Sequence, residues 1–157
     1  MVVPSLAELK IALRPGQRLL GLDLGEKTIG LALSDTLLSV ATPLKTLERR
    51  KFSVNADELL ALAKQHGIGG FVVGLPLNMD GSEGPSAQSA RAFARNLARL
   101  TALPIALWDE RLSTAAVTRT LIEADTSRRR RGDVVDKMAA AYILQGVLDR
   151  LRSMVQS

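Results

Sequence analysis

The 157-residue chain contains no cysteine and a single histidine, His66. Disulfides and thiolate zinc sites are therefore excluded, and so is catalysis that depends on several histidines. Only five aromatic residues occur, Phe52, Phe71, Phe93, Trp108 and Tyr142. That is too few for a platform on which successive unpaired bases stack. No apolar run approaches the roughly 20 residues of a membrane-spanning helix. The first 17 residues carry Glu8, Lys10 and Arg14, a charge pattern that does not suit a secretory signal.

What is present suits one globular domain with a substantial core: 46% of residues are hydrophobic and 24% charged. Lysine and arginine outnumber the acids 21 to 16, for a net charge of +5. A basic balance of this kind favours a polyanionic partner. With so little histidine and no cysteine, any acid–base or metal chemistry must come mainly from carboxylates.

Residues 1–17 read as a short N-terminal extension, with a helical turn over Leu6–Leu13 closed by Pro15 and Gly16. Residues 18–157 then read as a single domain. Strands are predicted over Arg18–Leu24 and Thr28–Ser34, joined by a tight connection, and over Ala41–Leu47. Ser53–His66 has helical apolar spacing and a glycine stop at Gly67, with His66 as an ordinary helix-end residue. A buried strand at 69–76, a helix over Ser86–Thr101, a strand at Pro104–Asp109, a helix over Ser113–Ala124 and a last helix over Asp133–Arg152 follow. The run Arg128–Arg131 is placed in the loop before that last helix, with Asp133 as its cap. The fold class is α/β: a mixed five-stranded sheet, an antiparallel meander plus parallel strands, with helices on both faces.

Three acids stand out. Asp23 lies near the end of an apolar strand, where an ionised carboxylate is costly unless it binds something. Glu110 follows the strand IALWD; alternation puts it and Asp109 on opposite faces. Asp136 shares a helix stripe with Ala140, Ile143 and Val147, which must pack on the sheet. Taken singly, each has an ordinary structural explanation, as a solvated strand end or a helix-terminus charge. Converging, they would suit a hard divalent ion such as Mg²⁺ or Mn²⁺. Such ions activate water and stabilise a leaving oxygen in phosphodiester cleavage.

Four motifs occur in order: GLDLGEKTIGLALSD at 21–35, VVGLPLNMDGSEG at 72–84, WDERLST at 108–114 and DKMAAAYILQ at 136–145. Together they resemble the YqgF/RuvX family, the Holliday-junction-resolvase-like proteins described as pre-16S rRNA nucleases. The resemblance spans about residues 18–150. It implies an RNase H-like fold, a cytoplasmic protein and a role in 5′-end maturation of the small-subunit ribosomal RNA precursor. It carries catalytic and metal-holding roles onto Asp23, Glu110 and Asp136. It also implies, as partner, structured RNA in a pre-ribosomal particle or branched DNA, with no membrane partner. A monomer or weak homodimer is expected.

Among the basic residues, Lys27 and Arg111 lie beside the proposed acids, where they could touch phosphates next to the scissile one. Four like charges at Arg128, Arg129, Arg130 and Arg131 repel one another, which favours a polyanion beside them. Arg91, Arg95 and Arg99 form a helical stripe of the kind that is usually a solvated face. Two other readings compete with a metal-dependent nuclease. One is a catalytically weak RNA-binding assembly factor; the other, a DNA junction resolvase, is a variant of the nuclease. A sugar-kinase-like ATPase, suggested by D-x-G-x-K-x-x-G, needs a second phosphate loop in a repeated domain that 157 residues cannot hold.

Overall fold

The computed structural model describes residues 1–112 and 128–155; of residues 128–136 and 155 it describes the backbone alone. The predicted helix over Ser113–Ala124 lies outside the described residues. Five strands form one sheet in the order β3-β2-β1-β4-β5, with β1 Arg18–Leu24, β2 Thr28–Ser34, β3 Ala41–Glu48, β4 Ile68–Leu75 and β5 Ile105–Asp109. The first three strands pair antiparallel as a meander, whereas β4 pairs parallel with both β1 and β5. The mixed sheet expected from the element order is therefore the one observed.

Side-chain alternation splits β1 between two cores. Leu20 and Leu22 face one side, with Phe71 and Val73 of β4. There they meet α2 (Phe52–His66) through Ala56 and Leu59, and α3 (Pro85–Ala98) through Ala90, Phe93 and Leu97. Leu19 faces the other side with Val72, Ala106 and Trp108. That side is covered by α1 (Leu6–Ala12) and by the long helix α4 (Arg128–Val155). Ile143, Leu144, Val147 and Leu148 of α4 are fully buried, and each contributes about 1.5–3 kcal/mol.

The first residues of the chain are stitched to the β5 edge. Val3 N donates to Ile105 O at 2.9 Å, and Ile105 N donates to Met1 O at 2.9 Å. Leu9 of α1 is fully buried in the second core. The edge of β5 is covered as a result, which removes a template for pairing with other chains.

Several helix ends differ from the sequence expectation, some by one residue: the first helix stops at Ala12, α2 begins at Phe52 and α3 at Pro85, while the last helix runs on to Val155. Helix α3 stops at Ala98, before the expected Thr101, because Arg99 N and Leu100 N bond three residues back to Asn96 O and Leu97 O. These tighter bonds close the last turn ahead of Pro104. Helix α4 begins at Arg128 rather than Asp133. The arginine run therefore belongs to the helix and not to a loop, and Asp133 is not the cap. Arginine is a good helix former, and a helix sets successive residues about 100° apart around its axis, which relieves crowding of like charges.

Candidate active site

The site lies at the C-terminal ends of the two central parallel strands, under α4. Asp23 is the penultimate residue of β1 and is 4% exposed. By alternation it shares its face with Leu19 and Gly21, the side covered by α4. Helix and strand approach closely here. A Cβ at Gly21 would stand 2.9 Å from the Cβ of Leu144 and 3.3 Å from the carbonyl oxygen of Ala140. Only glycine on β1 allows the helix so near. Asp136 lies four residues before Ala140, one helical turn back along α4. Its side chain, and with it the expected convergence of three acids, lies outside what is described.

Glu110 comes from the opposite side of the same region. Strand β5 ends at Asp109, and a 3₁₀ turn over Glu110–Leu112 follows. Glu110 is buried at 6% exposure. A Cβ at Gly74, the next-to-last residue of β4, would stand 3.4 Å from both Cγ and Cδ of Glu110 and 2.6 Å from Cδ1 of Ile143. The Glu110 side chain thus crosses the bare backbone of β4 on the α4 face. Gly74 itself lies one residue beyond the Leu22–Val73 pairing of β1 with β4, at the level of Asp23. Asp23 and Glu110 are two of only four buried polar or charged residues among those described, and both belong to this corner.

Asp109 points the other way, as alternation predicts. Its carboxylate accepts from Arg111 at 2.7 Å (Nη2) and 3.1 Å (Nε). These bonds to the guanidinium hold the Asp109 carboxyl below the usual range against a smaller opposing effect of burial. Arg111, expected beside phosphates of the substrate, is therefore engaged with a neighbour in the chain. Lys27 is exposed in the turn between β1 and β2. Arg128–Arg131 occupy the first turn of α4, and their side chains lie outside what is described.

The sequence pattern gives no sign of Arg49. Its Nη1 donates to Gly25 O at 2.7 Å, its Nη2 donates to Ser89 Oγ at 3.1 Å, and its backbone N donates to Lys27 O at 2.8 Å. It ties the turn that carries Lys27 to α3. Along the chain it is one member of the charge run Arg49-Arg50-Lys51, with nothing to mark it out.

Residues 17–150 match the family described as "RuvX: Holliday junction resolvase". The chain belongs to the RuvX family. Among its relatives is a protein of Paramagnetospirillum magneticum named "Putative pre-16S rRNA nuclease", 64% identical over 95% of this chain and 96% of that one. A protein of Ruegeria pomeroyi with the same name is 58% identical over 98% of this chain and 100% of that one. Among solved structures, Thermus thermophilus RuvC in complex with a Holliday junction substrate superposes with a TM-score of 0.54, at 11% identity, over 87% of this chain and 97% of that one. This RuvX chain therefore has the RNase H-like fold that its motifs implied. Among the described residues, no helix is long and apolar enough to cross a membrane, and no group of three or more potential metal-ligating side chains is assembled.

Proposed function

We propose that this RuvX protein is a divalent-metal-dependent nuclease that hydrolyses phosphodiester bonds in 5′-end maturation of pre-16S ribosomal RNA, in the cytoplasm. The observation that carries the reading is the pair of buried carboxylates, Asp23 and Glu110, on one face of the sheet at the ends of β1 and β5, the two strands that flank β4. The names of the relatives point the same way. The donor set fits a hard cation: it is all oxygen, and the strand between the two acids has no side chain at Gly74 to fill the space. Asp23, Glu110 and Asp136 would hold the ion. A bound divalent cation lowers the pKa of water and stabilises charge on the leaving oxygen.

The protein's own residues supply the rest. The net charge of +5 draws a polyanion to the surface, while the acids remain a local negative site within it. Lys27 in the β1–β2 turn and Arg128–Arg131 at the start of α4 would contact backbone phosphates. The close approach of α4 to β1 at Gly21 would hold the strand that carries Asp23 in place when the substrate arrives.

The test is a cleavage assay on a 5′-extended 16S RNA fragment, with Mg²⁺ or Mn²⁺ and with chelator. Metal-dependent cleavage by wild type, lost in folded Asp23→Asn, supports the reading. A folded wild type that binds the RNA without cutting it in any divalent cation overturns it in favour of an assembly factor. The family's description as a Holliday junction resolvase makes branched DNA the comparison substrate, and faster cleavage of DNA than of RNA would move the assignment to a resolvase.

A further inference from the structure

The pair Asp109–Arg111 flanks Glu110 and is wired as a clasp. Asp109 Oδ1 accepts from Arg111 N at 2.9 Å, which closes the 3₁₀ turn around Glu110. Arg111 Nε lies 3.1 Å from Oδ1 and 3.2 Å from Oδ2, and Nη2 lies 2.7 Å from Oδ2. This fork-on-fork geometry fixes the guanidinium plane. The other nitrogen, Nη1, reaches Met79 O at 3.3 Å across 32 residues of chain.

Met79 belongs to a loop that closes on itself. Asn78 N donates to Ser82 O at 2.9 Å and Gly81 N to Asn78 O at 2.8 Å. Ser82 donates to Asp80 Oδ1 from its N at 2.9 Å and its Oγ at 2.6 Å. Gly81 has a φ of +89°, and a Cβ there would lie 3.5 Å from Arg111 Nη1. Arg111 thus sits against a preformed loop as well as against its own turn.

We propose that Asp109 and Arg111 are positioning residues: their ion pair sets the 3₁₀ turn that directs Glu110 inward and docks the 78–84 loop beside it. The proposal rests on the assignment of Glu110 as a catalytic acid. An ion pair this exposed adds little to global stability, so its value lies in geometry. Three of the five N–H groups of Arg111 are already committed to protein acceptors. Lysine cannot replace it, because an ammonium has no planar fork to span Asp109 and Met79 at once.

The experiment compares Asp109→Asn, Arg111→Lys and the double variant with wild type. Steady-state cleavage of the 5′-extended 16S RNA and hydrogen exchange of the 77–84 amides are measured on each. Each single variant should lower kcat by about tenfold, as outer residues that orient a site do, with KM nearly unchanged. The double variant should be no slower than the slower single one, because both break one device. Exchange in the loop should rise in Arg111→Lys. Losses that multiply, or a raised KM with kcat intact, would identify Arg111 as an independent phosphate contact and overturn the proposal. So would unchanged exchange of the loop, a readout that needs no cleavage. Failure of wild type to cut RNA or DNA is a different result, which removes the nuclease assignment itself.

Discussion

Glu110 lies across Gly74: the carboxyl carbon of the one is 3.4 Å from where a Cβ of the other would be. The same Cβ would come within 2.6 Å of Ile143 Cδ1, so Gly74→Ala must displace the end of that side chain. Overpacking of this kind costs about 1–3 kcal/mol. The new methyl would also fill the space over which the Glu110 side chain lies, 3.4 Å from its Cγ and Cδ, and misplacing a catalytic group by about 1 Å costs up to roughly a hundredfold in rate. Gly74→Ala should therefore fold, melt somewhat lower than wild type and lose far more activity than stability. A thermal melt beside a cleavage assay checks this.

Glu110 and Asp109 are neighbours with opposite orientations, and their variants should differ. Glu110→Gln keeps the shape but removes the charge, and should lower kcat by roughly 10² to 10⁴-fold, the range for loss of a catalytic acid or base. Asp109→Asn should cost far less. Equal losses in the two, measured on folded protein, would show that the pair is read with the wrong parity.

Carboxylates held close together repel, and a divalent ion relieves that repulsion only in the folded arrangement. At a hundredfold excess over Kd the ion adds about 2.7 kcal/mol. For a domain of this size that raises Tm by about 5–10 °C. Asp23→Asn should melt higher than wild type in chelator and respond less to the ion. Differential scanning fluorimetry at matched ionic strength distinguishes this from acids that are merely structural, whose neutralisation lowers Tm.

Replacing Arg128–Arg131 with serine should weaken RNA binding by removing charges that neutralise phosphates. The slope of log K against log salt should become shallower by about 0.7–0.9 for each phosphate that no longer has a cation beside it. A filter-binding series across salt concentrations measures it. Serine is a poorer helix former than arginine by a few tenths of a kcal/mol. Circular dichroism therefore accompanies the titration, to separate weaker phosphate binding from a frayed first turn.

Asp35 closes the β2–β3 turn, accepting from Ser39 N at 2.7 Å, Ser39 Oγ at 2.6 Å and Val40 N at 3.0 Å. The Ser39 hydroxyl first, then the Val40 amide, lower its pKa from 3.8 to about 2. A depressed acid stabilises the fold above its unfolded pKa and loses that contribution as pH falls through the folded value. Asp35→Asn should accordingly melt below wild type near neutral pH, with the gap closing as pH drops from about 4 toward 2. Melts of both proteins across that window test it.

Much of this architecture is written locally. The short apolar runs RLLGLDL and TIGLALS, separated by Gly25-Glu26-Lys27, place β1 and β2 at their observed bounds, because strands buried on both faces read as near-continuous apolar segments cut by turn residues. The stop of α2 at Gly67 is legible because glycine takes the left-handed φ of 65° that ends the helix. Asp23 is legible because an acid in an apolar strand needs a reason. The start of α4 is not, since a run of arginines reads as solvated loop or helix with equal ease until the chain packs. Nor are the bare strands at Gly21 and Gly74, whose purpose exists only once α4 and Glu110 lie over them. Arg49 and the Asp109–Arg111 clasp escape for the same reason: their partners, Gly25, Ser89 and Met79, lie 24 to 40 residues away. Sequence determines periodicity, propensity and the cost of burying a charge, which are properties of neighbours along the chain. Which backbone a side chain crosses, and which loop an arginine holds, depends on contacts between distant segments, and those were decided by tertiary structure.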